Sequence, residues 1–225
     1  LVILLPNMFY TLFNIGLPSS TVYYIGQREY SLENVFKTNL LTATILSFFT
    51  VIFSFLFIYL YQDVFYKKID LSILILSLIS LPFIFLNKNL QVIFQGKEEF
   101  EKYNLIVILN QLGVFAFCIL FLFFLEWNLA GAVAAFVSTQ ILILSVLFYF
   151  LKKQFKLTFF KGSFSNSYLK NSLSYGLKGH VSNILAFINY RVDLFIIAYF
   201  LNDASVGLYS IAVTVVERIS NSVPN

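Results

Sequence analysis

The sequence contains one cysteine, Cys118, and one histidine, His180. A lone cysteine excludes a disulfide framework within the chain and a cluster of thiolate metal ligands. A lone histidine likewise excludes a metal site built on several histidines. Phosphate-loop, dinucleotide-binding, nucleophile-elbow and zinc-protease patterns are also missing. We therefore predict that the protein is not an enzyme and binds no metal or cofactor.

Charge is scarce as well. Only 12% of the 225 residues are charged and 59% are hydrophobic, which gives a mean hydropathy of +0.83. Soluble domains carry about 25% charged residues, because their surfaces face water. The composition therefore predicts an all-α, polytopic membrane protein, with the core of a large soluble protein as the alternative.

Long apolar runs bounded by charges support this prediction. A bilayer core about 30 Å thick requires roughly 20 apolar helical residues, and seven runs of that length occur. They are Val2 to Ile25, Leu40 to Tyr61, Leu71 to Phe94, Tyr103 to Leu125, Leu129 to Leu151, Leu177 to Leu201 and Ser205 to Val223.

The basic residues between these runs predict the orientation, because cytoplasmic loops retain an excess of Lys and Arg. The loops of one side hold nine basic residues: Arg28, Lys37, Lys97, Lys102, Lys152, Lys153, Lys156, Lys161 and Lys170. The other side holds two, Lys67 and Lys68. The nine-residue side is predicted to be cytoplasmic, so the first span runs from outside to inside.

The connection at 152–176 is the longest, and it is basic and rich in Ser and Asn. We interpret it as a cytoplasmic loop between two helical bundles, residues 1–151 and residues 177–225. Its charge could also hold it against anionic lipid headgroups. Because the chain starts at Leu1 and ends soon after its last apolar run, we expect an internal portion of a longer protein.

Polar residues inside the third run share one helical face, a stripe made of Ser77, Ser80, Asn87, Lys88, Gln91 and Gln95. An ionisable group within a bilayer usually faces a cavity or a partner helix. Lys88 is therefore a candidate cavity residue; alternatively, its side chain reaches to the nearby interface.

The first run carries a second polar stripe, made of Asn7, Thr11, Asn14, Pro18 and Thr21. Pro18 cannot donate a backbone hydrogen bond, so we expect a kink or local unwinding there. The stripe could line a cavity, or it could pack against another helix through small and polar residues.

The sixth run places His180, Asn183, Phe187 and Arg191 on one face by helical spacing. Asn189 and Asp193 lie near the opposite face, because residues two apart on a helix do not face each other. We predict that Arg191 contacts an anion in a central cavity, which His180 and Asn183 also line, and that Asp193 points to a neighbouring helix. The alternative is an interhelical ion pair made by either residue. His180 is a candidate proton relay.

The segment from Asn189 to Leu201, followed by Val206 to Ala212, resembles the middle of polysaccharide flippases of the Wzx type. These belong to the multidrug/oligosaccharidyl-lipid/polysaccharide exporter superfamily. The turns Phe94 to Asn104 and Tyr23 to Gly26 are similar to short cytoplasmic turns of that family.

The resemblance implies a fold of about twelve to fourteen spans in two bundles, which flips an isoprenoid-pyrophosphate-linked oligosaccharide across the bacterial cytoplasmic membrane for O-antigen or capsule synthesis. The expected partners are this lipid-linked cargo, membrane lipids, a polysaccharide polymerase and glycosyltransferases, with no nucleic acid. Arg191 and Lys88 are the expected pyrophosphate contacts. Coupling to a proton or a sodium ion stays open.

Two other functions remain open from the residues alone. One is a cation-coupled drug or metabolite antiporter of the same superfamily, which needs a buried carboxylate in the first bundle. Asp193 is the first buried acidic residue that the sequence predicts, which favours an anionic cargo. The other is a membrane scaffold for glycan-assembly enzymes that transports nothing itself.

Overall fold

The described part of the chain is built from helices alone. The computed structural model describes residues 2–66, 69–158, 161–201 and 203–222, with only the backbone described at 63, 65, 191, 195, 203, 204 and 217–222. The helices are α1 Leu4–Phe13, α2 Leu17–Gln27, α3 Leu32–Phe65, α4 Leu71–Leu78, α5 Ser80–Gly96, α6 Phe100–Cys118, α7 Asn128–Phe155, α8 Asn166–Phe200 and α9 Asp203–Ser222. A π-helical turn, Ile119–Phe124, extends α6.

Each predicted span coincides with a helix or a helix pair, but the spans are not equivalent. Four stretches are long and apolar enough to cross a bilayer: Leu32–Gln62, Leu71–Gly96, Phe100–Phe124 and Asn128–Phe155. A fifth is α8, which bends by 42° between Asn166–Tyr190 and Val192–Phe200. In the part of the chain that the structure describes, four of the seven predicted spans, or five with α8, are therefore long and apolar enough to cross a bilayer.

The first and last predicted spans differ from continuous membrane helices. The first is divided into α1 and α2, of 10 and 11 residues. Within α9, the apolar helical stretch is Ser205–Val216, which is shorter than the roughly 20 residues that a bilayer requires.

Helices α3 and α6 present large apolar side chains on the outside of the bundle. Phe48 and Phe49 of α3 and Phe115 of α6 are each more than 60% exposed. Contiguous apolar surface of this kind is rare on soluble monomers. It is the surface that hydrocarbon chains of lipids cover, because all backbone polar groups of such helices are bonded internally.

The buried apolar side chains form two clusters along the bundle. One is centred on Phe9, Leu81 and Phe85. The other contains Ile25, Phe94 and Tyr168 and lies toward the predicted cytoplasmic ends. The cluster with Tyr168 joins the start of α8 to the helices before it.

The connection predicted at 152–176 is shorter than expected. Helix α7 continues to Phe155, and α8 begins at Asn166 after the cap residue Ser165, whose hydroxyl accepts from the Tyr168 amide. Lys152 and Lys153 lie in the last turn of α7, where cations are favoured by the helix dipole. Basic residues that indicated a loop are therefore partly helical.

The remaining described part of this connection docks on the start of α3. The Ser163 amide donates to Asn34 Oδ1 at 2.9 Å, and the Ser165 amide donates to Thr38 Oγ1 at 3.0 Å. Gly162 has φ +79°, and a Cβ there would lie 2.4 Å from the Glu33 carbonyl oxygen. The close approach of the two backbones therefore requires glycine.

Candidate functional site

The break between α1 and α2 falls at Asn14–Gly16, directly before Pro18, where the sequence predicts an interruption. Ile15 and Gly16 have φ of 49° and 71°. The Gly16 amide donates to Asn14 Oδ1 at 2.9 Å, so the side chain replaces a backbone acceptor. Pro18 lies in the first turn of α2, where its missing N–H leaves no hydrogen bond unmade.

A cavity of about 570 Å³ lies between α1, α8 and α9. Its polar lining comes from Asn7 and Thr11 of α1 and from Ser210 and Thr214 of α9. The rest of the described lining is apolar: Ile3, Leu4, Phe187, Leu194 and Val206. We call this the interhelical cavity. Its volume falls within the range of pockets that hold organic ligands.

A second cavity of about 170 Å³ surrounds Lys88. Five amide side chains line it together with the lysine: Asn7, Gln91, Asn110, Gln111 and Gln140. Lys88 is an exposed residue although it lies within a membrane span. Its ammonium group is thus accessible from a polar compartment, which we call the Lys88 cavity.

The amide of Asn87 links α5 to α7 beside this cavity. Asn87 Nδ2 donates to the backbone oxygen of Gln140 at 2.9 Å and to its Oε1 at 3.0 Å. Asn87 Oδ1 is buried without a partner in the described part of the chain. Because both donor bonds go to Gln140, Asn87 orients a residue that lines the cavity. Asn87 is not itself among the lining residues.

His180 lies at the contact between α8 and α1. The residue is 4% exposed, and its Nε2 is 3.1 Å from the Leu12 carbonyl oxygen. In an unbroken helix, the amide of Gly16 would bond this carbonyl, but it bonds Asn14 instead. His180 therefore meets an acceptor that the break in the first span has released.

Asn183 and Arg191 are the other predicted cavity residues of α8. Asn183 is exposed and lines neither cavity. The side chain of Arg191 lies outside the described residues.

Asp193 contacts the neighbouring helix. Its Oδ2 accepts from the Tyr209 hydroxyl of α9 at 2.5 Å, and its Oδ1 accepts from the Leu194 amide at 2.7 Å. The predicted direction of this carboxylate, toward another helix, agrees with the Tyr209 contact. Asp193 thereby stabilises the pairing of α8 with α9.

The helices α2 and α8 meet at two glycines. A Cβ on Gly16 would lie 2.2 Å from the Gly176 oxygen, and a Cβ on Gly176 would lie 2.6 Å from the Gly16 oxygen. Small residues at such a crossing let two helices approach closely in a membrane. No other residue type fits at either position without separating the backbones.

Five tyrosines continue this contact toward the predicted cytoplasmic end; they are Tyr23, Tyr24, Tyr30, Tyr168 and Tyr175. The rings of Tyr23 and Tyr175 stack at 4.4 Å between centroids. We call this group the tyrosine cluster.

A buried hydrogen-bond network anchors the cluster. The Tyr168 hydroxyl donates to Asn39 Oδ1 at 3.0 Å and lies 3.0 Å from Thr21 Oγ1. Asn39 Nδ2 in turn donates to Thr21 Oγ1 at 2.9 Å. The network connects α2, α3 and α8 across 129 and 147 residues of sequence. The predicted cytoplasmic ends of these helices are therefore held together.

The structure divides the predicted site between two cavities and their walls. Lys88 and Gln91 line the Lys88 cavity. Asn14 instead bonds its own helix, and Asn87 and His180 bond neighbouring helices. The sequence interpretation missed Asn110, Gln111 and Gln140 of the fourth and fifth spans, as well as Ser210 and Thr214. Each of these residues could have been found by the signal that identified the other candidates, a polar residue within an apolar run.

The comparisons with known proteins agree with the helical membrane fold described above. Residues 2–223 match the family described as polysaccharide biosynthesis protein. A crystal structure of a MATE protein in complex with Br-NRF is similar to the chain, with a TM-score of 0.70 and 19% sequence identity. The match covers 86% of this chain and 47% of the MATE chain, so this chain spans about half of its length. No curated protein matches this chain.

Proposed function

The chain belongs to the family of polysaccharide biosynthesis proteins, and we propose that it is a transporter rather than an enzyme. In this proposal it flips isoprenoid-pyrophosphate-linked oligosaccharide units from the inner to the outer leaflet of the bacterial cytoplasmic membrane. The units then serve the synthesis of surface polysaccharide such as O-antigen or capsule. The likeness to the MATE structure supports the fold of such a transporter.

The observation that carries the proposal is the Lys88 cavity. A pyrophosphate group cannot enter hydrocarbon without losing its hydration, which is costly unless other polar groups replace the water. The Lys88 ammonium and five amide side chains supply such groups inside a membrane span. The N–H groups of lysine, asparagine and glutamine are donors, and the oxygens of a pyrophosphate are acceptors.

The buried polar residues also favour an anionic cargo. In the part of the chain that the structure describes, they are Asn, Gln, Ser, Thr and His, with no carboxylate among them. A cation-coupled antiporter needs a buried carboxylate to bind its proton or sodium ion. A polysaccharide polymerase and glycosyltransferases stay predicted partners, and coupling to a proton or a sodium ion stays open.

Alternating access is supported by the unequal ends of the bundle. Leu4 of α1, the preceding Ile3 and Val206 of α9 line the interhelical cavity. The predicted orientation places these residues near the outer surface. The close contact of Gly16 with Gly176, which we call the glycine crossing, and the tyrosine cluster hold the opposite ends of these helices together. We therefore propose that the structure represents a state closed toward the cytoplasm.

The test is a Lys88→Gln variant of the complete protein, expressed in a strain that lacks the native gene. We expect surface polysaccharide to fall at least tenfold while the amount of protein in the membrane stays the same. The matched control is Lys102→Gln, because Lys102 lies in the first turn of α6 and pairs only with the exposed Glu101 at 3.4 Å among the described residues.

Arg191→Ala tests the second predicted cation in the same strain. We expect it to abolish flipping and to leave membrane insertion intact.

Normal surface polysaccharide in the Lys88→Gln strain would contradict the proposed function of the Lys88 cavity.

A further inference from the structure

Helix α7 has one face that lies on the outside of the bundle. Six residues of this face are exposed: Ile141, Leu142, Ser145, Tyr149, Lys152 and Lys153. Helical spacing places them within an arc of about 120°, whereas Ile143, Leu147 and Leu151 are buried on the opposite side. We call the six exposed residues the α7 stripe.

The α7 stripe is separate from the interhelical cavity and from the Lys88 cavity, since none of its residues lines either one. Gln140, which lines the Lys88 cavity, lies nine residues before Tyr149. Nine residues turn a helix by about two and a half turns, so these two side chains lie on opposite sides of α7. The stripe therefore faces the surroundings of the bundle, where lipid covers exposed apolar side chains.

The stripe changes from apolar to cationic along its length. Ile141 and Leu142 are about as exposed as Tyr149 is further along the helix, and the Ser145 hydroxyl between them donates to the Ile141 carbonyl at 3.1 Å. Lys152 and Lys153 are exposed in the last turn. The predicted orientation places this turn at the cytoplasmic surface. The ammonium groups then lie at the level of lipid headgroups, and the apolar side chains lie at the level of acyl chains.

Tyr149 holds the Lys153 ammonium group at the border of the apolar surface. Lys153 Nζ donates to the Tyr149 hydroxyl at 3.3 Å and lies 5.5 Å from the centroid of the ring. An ammonium group carries three N–H donors, so two remain for another acceptor. The side chain of Lys153 is therefore folded back along the stripe and still has donors for a ligand.

The protein does not neutralise the charge at this end of the helix. The sequence of α7, Asn128–Phe155, contains no Asp or Glu. Neither Lys152 nor Lys153 makes an ion pair with the part of the chain that the structure describes. A ligand that combines a negative charge with an acyl chain therefore complements both parts of the stripe.

We propose that the α7 stripe binds an anionic phospholipid of the cytoplasmic leaflet. Its phosphate lies at the Lys152 and Lys153 ammonium groups, and one acyl chain lies along Tyr149, Ser145 and Leu142. Basic clusters beside a membrane span attract anionic lipids in this way. The inference goes beyond the proposed function and holds for any cargo.

The test uses a tryptophan on the stripe as a local reporter of the bound lipid. Ser145→Trp places the reporter one turn before Tyr149, and every other tryptophan of the complete protein is replaced by phenylalanine, Trp127 included. The protein is reconstituted in phosphatidylcholine bilayers. Quenching of the reporter by brominated phosphatidylglycerol is then compared with quenching by brominated phosphatidylcholine that has the same acyl chains.

Phosphatidylglycerol is expected to associate at least about fivefold more strongly than phosphatidylcholine, which is the effect of one basic contact. Lys152→Gln combined with Lys153→Gln should bring the association of the two lipids to within about twofold of each other. Both lysines are exposed, so the variant should fold. Unchanged quenching by brominated phosphatidylcholine checks that the helix is still inserted.

Lys97→Gln combined with Lys102→Gln is the matched control. It removes the same charge from the same predicted side of the membrane. Lys97 follows α5 and Lys102 lies in the first turn of α6, so neither belongs to the α7 stripe. The control should keep the preference for phosphatidylglycerol.

Three results would overturn the lipid site. Equal quenching by the two lipids in the reporter protein would leave the lysines to an acidic protein partner. A preference that persists without Lys152 and Lys153 would place the anionic lipid elsewhere. A preference that is lost in the control as well would show that the total charge of the cytoplasmic surface attracts the lipid. None of these results bears on the Lys88 cavity, whose test is the amount of surface polysaccharide.

Discussion

Replacement of Gly176 by alanine tests whether the glycine crossing keeps the predicted cytoplasmic ends closed. A Cβ at position 176 would lie 2.6 Å from the Gly16 oxygen, whereas ordinary contacts of this type begin at 3.4 Å. The two backbones must therefore separate by roughly 0.8 Å, because a closely packed interior has no free volume to absorb a methyl group.

The same helix offers a control in which only the clash is missing. A Cβ on Gly179 meets nothing within 4 Å, and both glycines lie in α8. Alanine is preferred over glycine by about 1 kcal/mol in a helix, and this gain is common to both variants. Overpacking typically costs about 1–3 kcal/mol, so we expect Gly176→Ala to weaken the closed state by that amount relative to Gly179→Ala.

A thiol at position 172 reports the opening. Ser172 is fully buried on α8, so a Ser172→Cys variant in a Cys118→Ser background should react slowly with an impermeant maleimide added at the cytoplasmic face. A difference of about 1–3 kcal/mol predicts labelling that is roughly 5 to 150 times faster with Gly176→Ala than with Gly179→Ala. Equal labelling rates in two well-folded variants would refute the role of the crossing.

Two further predictions concern stability. Tyr168→Phe leaves Asn39 Oδ1 buried without the hydroxyl that donates to it at 3.0 Å. We therefore expect a loss of about 1–3 kcal/mol in stability, measured by thermal unfolding in detergent. The control Tyr23→Phe, at a residue 41% exposed, should change the stability little. Asp193→Asn weakens the charge-assisted hydrogen bond that the carboxylate accepts from Tyr209 and should lower protein abundance more than flipping. A stable but inactive variant would assign Asp193 to transport instead.

The polar stripes show what helical spacing can and cannot predict about the candidate site. Placing Lys88 and Gln91 on one face was sufficient to predict that they share a surface, and both line the Lys88 cavity. The spacing did not show that Gln140 of α7 completes the cavity and accepts from Asn87. Periodicity reports which face of a helix is polar, but not which other helix that face meets.

The connection between α7 and α8 shows the opposite case. A high content of Lys, Ser and Asn predicted a loop over 152–176, but Lys152 and Lys153 belong to α7 and Asn166 begins α8. Composition locates such a connection but not its ends, because lysine is a good helix former and serine serves as a cap.

The sequence by itself determined the membrane class, the positions of the helices, the break before Pro18 and the residues that are polar inside apolar runs. These properties follow from the hydropathy and spacing of neighbouring residues, because membrane insertion and helix formation depend on residues that are close together in the sequence. Tertiary structure alone decided that Gly16 meets Gly176 and that Tyr168 joins Thr21 and Asn39. Helices in a membrane associate through close packing and interhelical hydrogen bonds between distant segments, and no local pattern records which segments those are.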